Sequence, residues 1–272
     1  MNVHEKLEAL ESILKETGGI AIAFSGGVDS SFLAAVSQRV LGDRALAVTA
    51  LSPTYSAREQ GEAARVAAQI GISHETVVSN ELEIPGFAEN PPDRCYYCKK
   101  ELIEVVRRTA AGYGINAVAH GANADDLDDY RPGQLAAEES GALSPLMDVG
   151  LTKDEIRELS REMGLPTADK PALACLASRF PYGSRISEKA LKAVDEVENA
   201  LRGWSFSQVR VRHHGHIARI EVPAADIGKC LDDSLRGKIV GAAREAGFLY
   251  VTLDLQGYRA GSMNEVLRGR SS

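Results

Sequence analysis

The chain has 272 residues, 44% of them hydrophobic and 25% charged, with a formal charge of −7; that is enough for one large domain or a large and a small one. Such a composition is ordinary for a soluble globular protein and points away from disorder and membrane insertion, while the acidic balance argues against nonspecific binding to long nucleic acid. Four cysteines without an export pattern fit a reducing cytoplasm, where paired thiols bind metal or do redox chemistry more often than they form structural disulfides.

Between Met1 and Gly18, the apolar positions Leu7, Leu10, Ile13 and Leu14 predict an acidic amphipathic helix without the basic start or apolar run of a signal peptide. Ile20 to Phe24 then reads as a strand and Ser30 to Val40 as a helix, joined by Ser25-Gly26-Gly27-Val28-Asp29-Ser30-Ser31. Gly26 and Gly27 permit backbone angles that let several N–H groups turn toward one anion, and the helix N-terminus adds partial positive charge. The loop should bind phosphate. Ser25, Ser30 and Ser31 can donate to phosphate oxygens, and Asp29 can either cap the helix or hold a magnesium ion. No Gly-Lys-Ser/Thr follows, so this is not a Walker loop; the plainer alternative is a Gly-Gly turn capping an ordinary helix. The order Ser-Gly-Gly-Val-Asp-Ser-Ser resembles the pyrophosphatase loop of the N-type ATP pyrophosphatases, which implies ATP split to pyrophosphate while an acceptor is adenylated.

Ala45 to Leu51 reads as a second strand, Tyr55 to Ile70 as a helix and His74 to Val78 as a third strand. This βαβαβ rhythm predicts an α/β fold, a parallel Rossmann-like sheet with its ligand at the carboxyl ends of the strands. Two prolines, Pro91 and Pro92, interrupt it before Arg94-Cys95-Tyr96-Tyr97-Cys98-Lys99-Lys100 opens a helix to about Tyr113. At a helix start beside Arg94, Lys99 and Lys100, Cys95 and Cys98 are favoured as thiolates, suited to a metal or iron–sulfur cluster; a redox disulfide or buried inert thiols are the alternatives. A fourth strand, Asn116 to His120, ends in Gly121-Ala122-Asn123-Ala124-Asp125-Asp126, with Asp128 and Asp129 close behind. These aspartates are either a solvated loop or, facing a triphosphate, holders of Mg²⁺.

Lys153 to Met163 reads as an amphipathic framework helix leading to a proline-bounded polar loop that carries Cys175, Ser178 and Arg179, residues with little reason to be there unless they face a ligand. A small buried Cys175 is the alternative. From Ile186 the pattern changes to a helix ending near Leu201, then the strands Val209 to Arg212 and Ala218 to Val222 joined at Gly215. Alternation puts Arg210 and Arg212 together on the face opposite Val209 and Val211, which suits a phosphate or carboxylate. His213, His214 and His216 straddle the turn, more in keeping with solvent exposure than a metal site. Helical segments from Ala224 to Glu245, with Cys230 as packing, and a strand from Leu249 to Leu255 complete a smaller α/β unit. The expected division is a pyrophosphatase domain over residues 1–180 and a small domain over 181–272 that adds substrate-phosphate binding and oligomer contacts.

Taken together, Ser25 to Ser31, Arg94 to Lys99, Gly121 to Asp126, Asp129-Tyr130-Arg131-Pro132-Gly133, Cys175 to Arg179 and Val209 to Arg212 resemble the LarE family over nearly the whole chain. These are ATP-dependent sulfur transferases that help make a nickel-pincer nucleotide. The resemblance implies adenylation of a pyridinium biscarboxylate mononucleotide, a nicotinate-derived substrate, followed by displacement of AMP by sulfur. It groups Gly121, Asn123 and Asp125 with the ATP loop, and Tyr130, Arg131, Ser178, Arg179, Arg210 and Arg212 with the substrate. Asp29, Asp125, Glu198 and Asp226 become candidates for a divalent cation, Glu198 otherwise reading as a solvated helix residue. Cys95, Cys98 and Cys175 resemble the members whose three cysteines hold a 4Fe-4S cluster, rather than those in which one cysteine gives up its sulfur and becomes dehydroalanine. The resemblance further implies a homo-oligomer, a trimer-based hexamer. A tRNA thiolase with a similar loop and a non-catalytic ATP-binding module are the competing readings.

Overall fold

β1 (Ile20–Ala23) is four apolar residues, all buried, and its two faces enter different clusters. Ile20 and Ile22 pack with Phe32, Leu33 and Leu159, whereas Ala21 and Ala23 pack with Ile103 and Val106. A strand covered by helices on both faces shows no polar alternation, which is the sequence signature of a parallel sheet. In the computed structural model, which describes residues 1–126, 132–171, 174–259 and 261–265, the chain divides into two compact units. The first is Met1–Ile84 with Asp93–Leu173; the second is Pro85–Pro92 with Ala174–Ser272.

The first unit runs α1 (Val3–Thr17), β1, α2 (Val28–Leu41), β2 (Ala45–Leu51), α3 (Ala57–Ile70), β3 (Ser73–Val78), α4 (Arg94–Gly112), β4 (Ala117–Ala119), α5 (Pro132–Glu139), α6 (Pro145–Asp148) and α7 (Lys153–Glu162). Its strands lie in the order β3-β2-β1-β4 and every pair is parallel, with Ile20 in register with both Ala45 and Ala117. From β1 the chain steps outward through β2 to β3, then returns to the other side of β1 at β4. The crevice for a ligand therefore opens at the carboxyl ends of β1 and β4. Helix α7 starts at a capping box in which Thr152 and Glu155 satisfy each other's backbone N–H groups. Glu155 also accepts from Lys6 Nζ at 2.7 Å, fastening α1 to the start of α7.

Most expected elements are present to within two residues; α2 begins at Val28 rather than Ser30, which brings Asp29 and Ser30 into its first turn. Tyr130 and Arg131, expected to contact substrate, lie outside the described residues, as do Asp128 and Asp129.

The second unit holds α8 (Glu188–Gly203), β5 (Arg210–His214), β6 (Ile217–Glu221), α9 (Ile227–Cys230), α10 (Asp233–Glu245) and β7 (Tyr250–Leu253). β5 and β6 form an antiparallel hairpin closed through Gly215 at φ 65°, and β7 pairs parallel to β6. This unit begins before the expected boundary at residue 180 and takes in Pro85–Pro92. Asn90 is the fastening, its side-chain amide donating to the carbonyls of Phe180 at 3.2 Å and Pro181 at 2.7 Å. Among the described residues no helix is long and apolar enough to cross a membrane.

Candidate functional site

The Ser25–Ser31 loop leaves the carboxyl end of β1 and turns into α2, whose N-cap, Gly27, has no side-chain cap bond. The first-turn N–H groups of α2 are thus left without a side-chain cap at the end of the sheet, an arrangement suited to an anion. Gly26 sits at φ 65°, and a Cβ there would lie 2.8 Å from Ala63 Cα on α3. Only glycine fits. The hydroxyls of Ser25 and Ser30 meet at 3.1 Å, and Ser25 Oγ also accepts from the Gly27 N–H at 3.3 Å. Ser31 is buried, and its hydroxyl has no hydrogen-bond partner among the described residues.

Across the crevice, Gly121 follows β4 so closely against α2 that a Cβ would lie 2.9 Å from the Ser30 nitrogen. That contact brings the acidic loop to the phosphate loop: Asn123 Nδ2 donates to Asp29 Oδ1 at 3.3 Å. The adjoining Asp125 accepts the Lys153 main-chain N–H at 2.9 Å, and the Lys153 ammonium pairs with Asp29. Lys170 Nζ donates to the Gly26 carbonyl at 2.9 Å and pairs with Glu62 at 3.0 Å. Burial works against the Glu62 carboxylate, but hydrogen bonds and charge from Arg58 and Lys170 hold it below its ordinary value. Sequence reading passed over both lysines. Lys153 stands at the first position of a helix announced by Thr152-x-x-Glu155, a legible signal, while Lys170 carries none beyond its place before Pro171.

His120, the last residue before Gly121, is buried and shares a 2.9 Å hydrogen bond between its Nε2 and Ser144 Oγ. Burial, then the Lys99 charge, push it down to about 3, so the imidazole is neutral.

Cys95 and Cys98 occupy the first two turns of α4, Cys95 exposed and Cys98 half-buried. Cys98 Sγ lies 3.9 Å from Glu81 Oε1, and Glu81 is itself buried, its Oε2 accepting from Ser52 and Thr54. Cys175 belongs to the second unit, at the cap of a short 3-10 turn, Leu176–Arg179. Among the described residues there is no disulfide, and no group of three or more His, Cys, Asp or Glu side chains is arranged around one metal position. His213 is stacked on Phe180 at 4.8 Å, His214 is half-buried and His216 exposed, so the triplet is not a uniformly solvated turn.

The second unit corrects two expectations. Glu198 is not a solvated helix residue or an open cation ligand: it is fully buried, its oxygens held by Arg179 at 2.8 and 3.0 Å, by Arg202 at 2.6 Å and by the Val211 N–H at 3.0 Å. Arg179, 1% exposed, commits Nε and Nη2 to that carboxylate and Nη1 to the Ala174 and Cys175 carbonyls and the Ser178 hydroxyl. These bonds tie Arg179 both to α8 and to the Cys175 loop. A guanidinium and a carboxylate that would both be costly to bury alone have been buried together.

Arg212 is engaged with Glu221 at 2.6 Å and the Ser178 carbonyl at 3.2 Å. Arg210 differs: it is buried, donates to the Val209 carbonyl at 2.8 Å, lies 5.3 Å over the Tyr258 ring, and has no carboxylate within ion-pair distance among the described residues. Burial, then the Arg179 charge, pull its affinity for the proton below the ordinary arginine value. Asp226 pairs with Lys229 at 2.6 Å on a neighbouring turn.

Comparison with known proteins agrees with this arrangement. The asparagine synthase family profile matches residues 7–90, the part that holds the phosphate loop. An uncharacterized protein of Synechocystis is 45% identical over 97% of this chain and 99% of its own. The pyridinium-3,5-bisthiocarboxylic acid mononucleotide synthase of Lactiplantibacillus plantarum is 37% identical over 96% of this chain and 95% of its own. A subunit of the glutamine-hydrolyzing GMP synthase of Methanococcus vannielii is 31% identical over 58% of this chain and 55% of its own. With relatives matched from end to end and the phosphate loop at the switch point of a parallel sheet, the chain belongs to the LarE family of ATP-dependent sulfurtransferases.

Proposed function

We propose that the chain activates the carboxylates of pyridinium-3,5-biscarboxylic acid mononucleotide with ATP and converts them to thiocarboxylates. A carboxylate oxygen attacks the α-phosphorus, the α–β bond breaks and pyrophosphate leaves. A sulfur nucleophile then adds to the acyl carbon and AMP departs with the former carboxylate oxygen. The observation that carries this reading is the meeting of the Ser25–Ser31 loop with Gly121, Asn123 and Asp125 at the carboxyl ends of β1 and β4. Loop amides and Ser25, Ser30 and Ser31 bind the phosphates, and the charge that develops on pyrophosphate as it leaves is stabilised there.

Asp29 and Asp125 are hard oxygen donors that both reach Lys153, so they fit a divalent cation and would hold Mg²⁺, which neutralises phosphate charge when bound. Cys95, Cys98 and Cys175 are thiols outside any disulfide, the donor chemistry an iron–sulfur cluster requires. They would hold a 4Fe-4S cluster, which supplies sulfur for the second half of the reaction. Arg210, a buried cation with no carboxylate partner among the described residues, is the best placed of the arginines for the substrate phosphate, with Ser178 and Arg212 beside it in the same unit. Tyr130 and Arg131 complete the substrate contacts in this reading. The protein acts as a homo-oligomer in the cytoplasm.

The test is pyrophosphate release with Mg²⁺, offered the mononucleotide or tRNA. Release that follows the mononucleotide supports the reading; release triggered by tRNA alone rejects it. A brown protein after anaerobic reconstitution, which loses its absorbance on Cys95→Ala, supports the cluster. A colourless protein whose intact mass drops by a thiol after one turnover establishes the sacrificial route instead, with Cys175 the expected donor.

A further inference from the structure

One residue occupies both candidate cation ligands at the phosphate loop. Lys153 reaches Asp29 with its ammonium and Asp125 with its main-chain N–H, 2.9 Å away, although Asp29 lies 124 residues earlier in the chain. Among the described residues the other side-chain partner of Asp29 is Asn123, whose amide donates to the other carboxylate oxygen at 3.3 Å. The side chains of the ion pair are only 29% and 21% exposed. Helix α7, held at its start by the Thr152–Glu155 box and by Lys6, fixes the point from which Lys153 reaches out.

We propose that Lys153 keeps the cation site closed until nucleotide arrives, so that the divalent cation and the triphosphate enter as a pair. This rests on the reading of ATP and Mg²⁺ given above. Alone, a divalent cation approaching Asp29 meets an ammonium already seated on that carboxylate. A triphosphate alone meets the Asp29 carboxylate beside the loop amides that would receive it. When both arrive, the phosphates offer Lys153 a stronger anionic partner, Asp29 is released to the cation, and each ligand removes the obstacle to the other. By linkage, the factor by which nucleotide favours the cation is the factor by which the cation favours nucleotide.

The experiment reads Mn²⁺, as a surrogate for Mg²⁺, by the loss of the free-ion electron paramagnetic resonance signal on titration with the full-length protein without nucleotide. Lys153→Met is expected to tighten Mn²⁺ binding roughly fivefold, the size an ion pair of this exposure supports. Lys153→Arg, which keeps the charge, should match the wild type, and adding Asp29→Asn to Lys153→Met should cancel the gain. Lys170→Met, which removes a charge bonded to the Gly26 carbonyl rather than to Asp29, should leave Mn²⁺ affinity unchanged. Equilibrium dialysis with labelled ATP and Mn²⁺ is run in parallel on the wild type. If ATP binds but Lys153→Met does not tighten Mn²⁺, or Lys170→Met tightens it equally, the closed-site proposal is overturned. If the wild type fails to bind ATP, the pyrophosphatase reading itself is rejected, and this proposal with it.

Discussion

The Glu198 carboxylate is shared between Arg179 and Arg202 in the interior of the second unit, while Arg210, twelve positions along, is buried without any such partner among the described residues. Arginines that look alike in sequence are therefore engaged differently. One has its charge neutralised by a buried carboxylate, and the other, among the described residues, has none.

Removing Arg179 should unfold more than it inactivates. Arg179→Met leaves a buried carboxylate short of its main partner, a change worth about 3–5 kcal/mol. The expected result is a fall in Tm of roughly 10 °C. Trp204, the single tryptophan and the cap residue of α8, reports it by fluorescence. The pH dependence follows from Glu198: burial acts to raise its pKa, but the Arg179 hydrogen bond and charge, with Arg202, outweigh this and hold it below 4.5. Its contribution to stability is full above 4.5 and is lost as pH falls through the lower folded value, so Glu198→Gln should flatten that acid limb.

Arg210→Met should separate binding from stability. With no carboxylate left behind, Tm is expected to stay within a few degrees of the wild type or to rise, since an unpaired buried charge is removed. KM for the mononucleotide should rise by roughly tenfold or more, as the loss of a charge-assisted bond to phosphate predicts. An unchanged KM would remove Arg210 from the substrate site.

At the phosphate loop, Gly26→Ala and Gly27→Ala should differ. Alanine at Gly26 needs a left-handed backbone, costing about 1–2 kcal/mol, and strikes the α3 backbone at Ala63. Displacing the loop by about 1 Å is expected to lower pyrophosphate release roughly a hundredfold. Gly27 has φ −82°, and a Cβ there meets only the Ser25 hydroxyl at 3.3 Å, so its alanine variant should be several-fold less impaired. The comparison is made on initial rates at saturating ATP.

His120 predicts a second acid-sensitive window in the first unit. Its pKa falls from 6.5 to about 3 on folding because burial penalises the charged ring. The unfolded chain thus binds a proton that the folded one does not, and stability drops as pH falls from 6.5 toward 3. At pH 5 the loss is about 2 kcal/mol. Urea unfolding at pH 7 and pH 5 should show that loss in the wild type and little of it in His120→Asn.

Much of this protein is written locally. Ile20 to Ser31 spells a buried strand, a glycine loop and a helix start, because strand burial, glycine freedom and helix capping each depend on a few adjacent residues. The βαβαβ rhythm was enough for the parallel sheet, and the spaced motifs were enough to identify the family. Partnership was not written there. Nothing near Glu198 says that Arg179 and Arg202 will enclose it, and a polar residue on an amphipathic helix reads the same whether it faces water or a buried guanidinium. Nor does Lys153, first residue of a framework helix, announce that it will close on Asp29. Those pairings are set by which helix ends the sheet order brings to the carboxyl ends of β1 and β4 and by which strands cover α8. They belong to tertiary packing, since a charge finds its partner through distances that only the assembled fold defines.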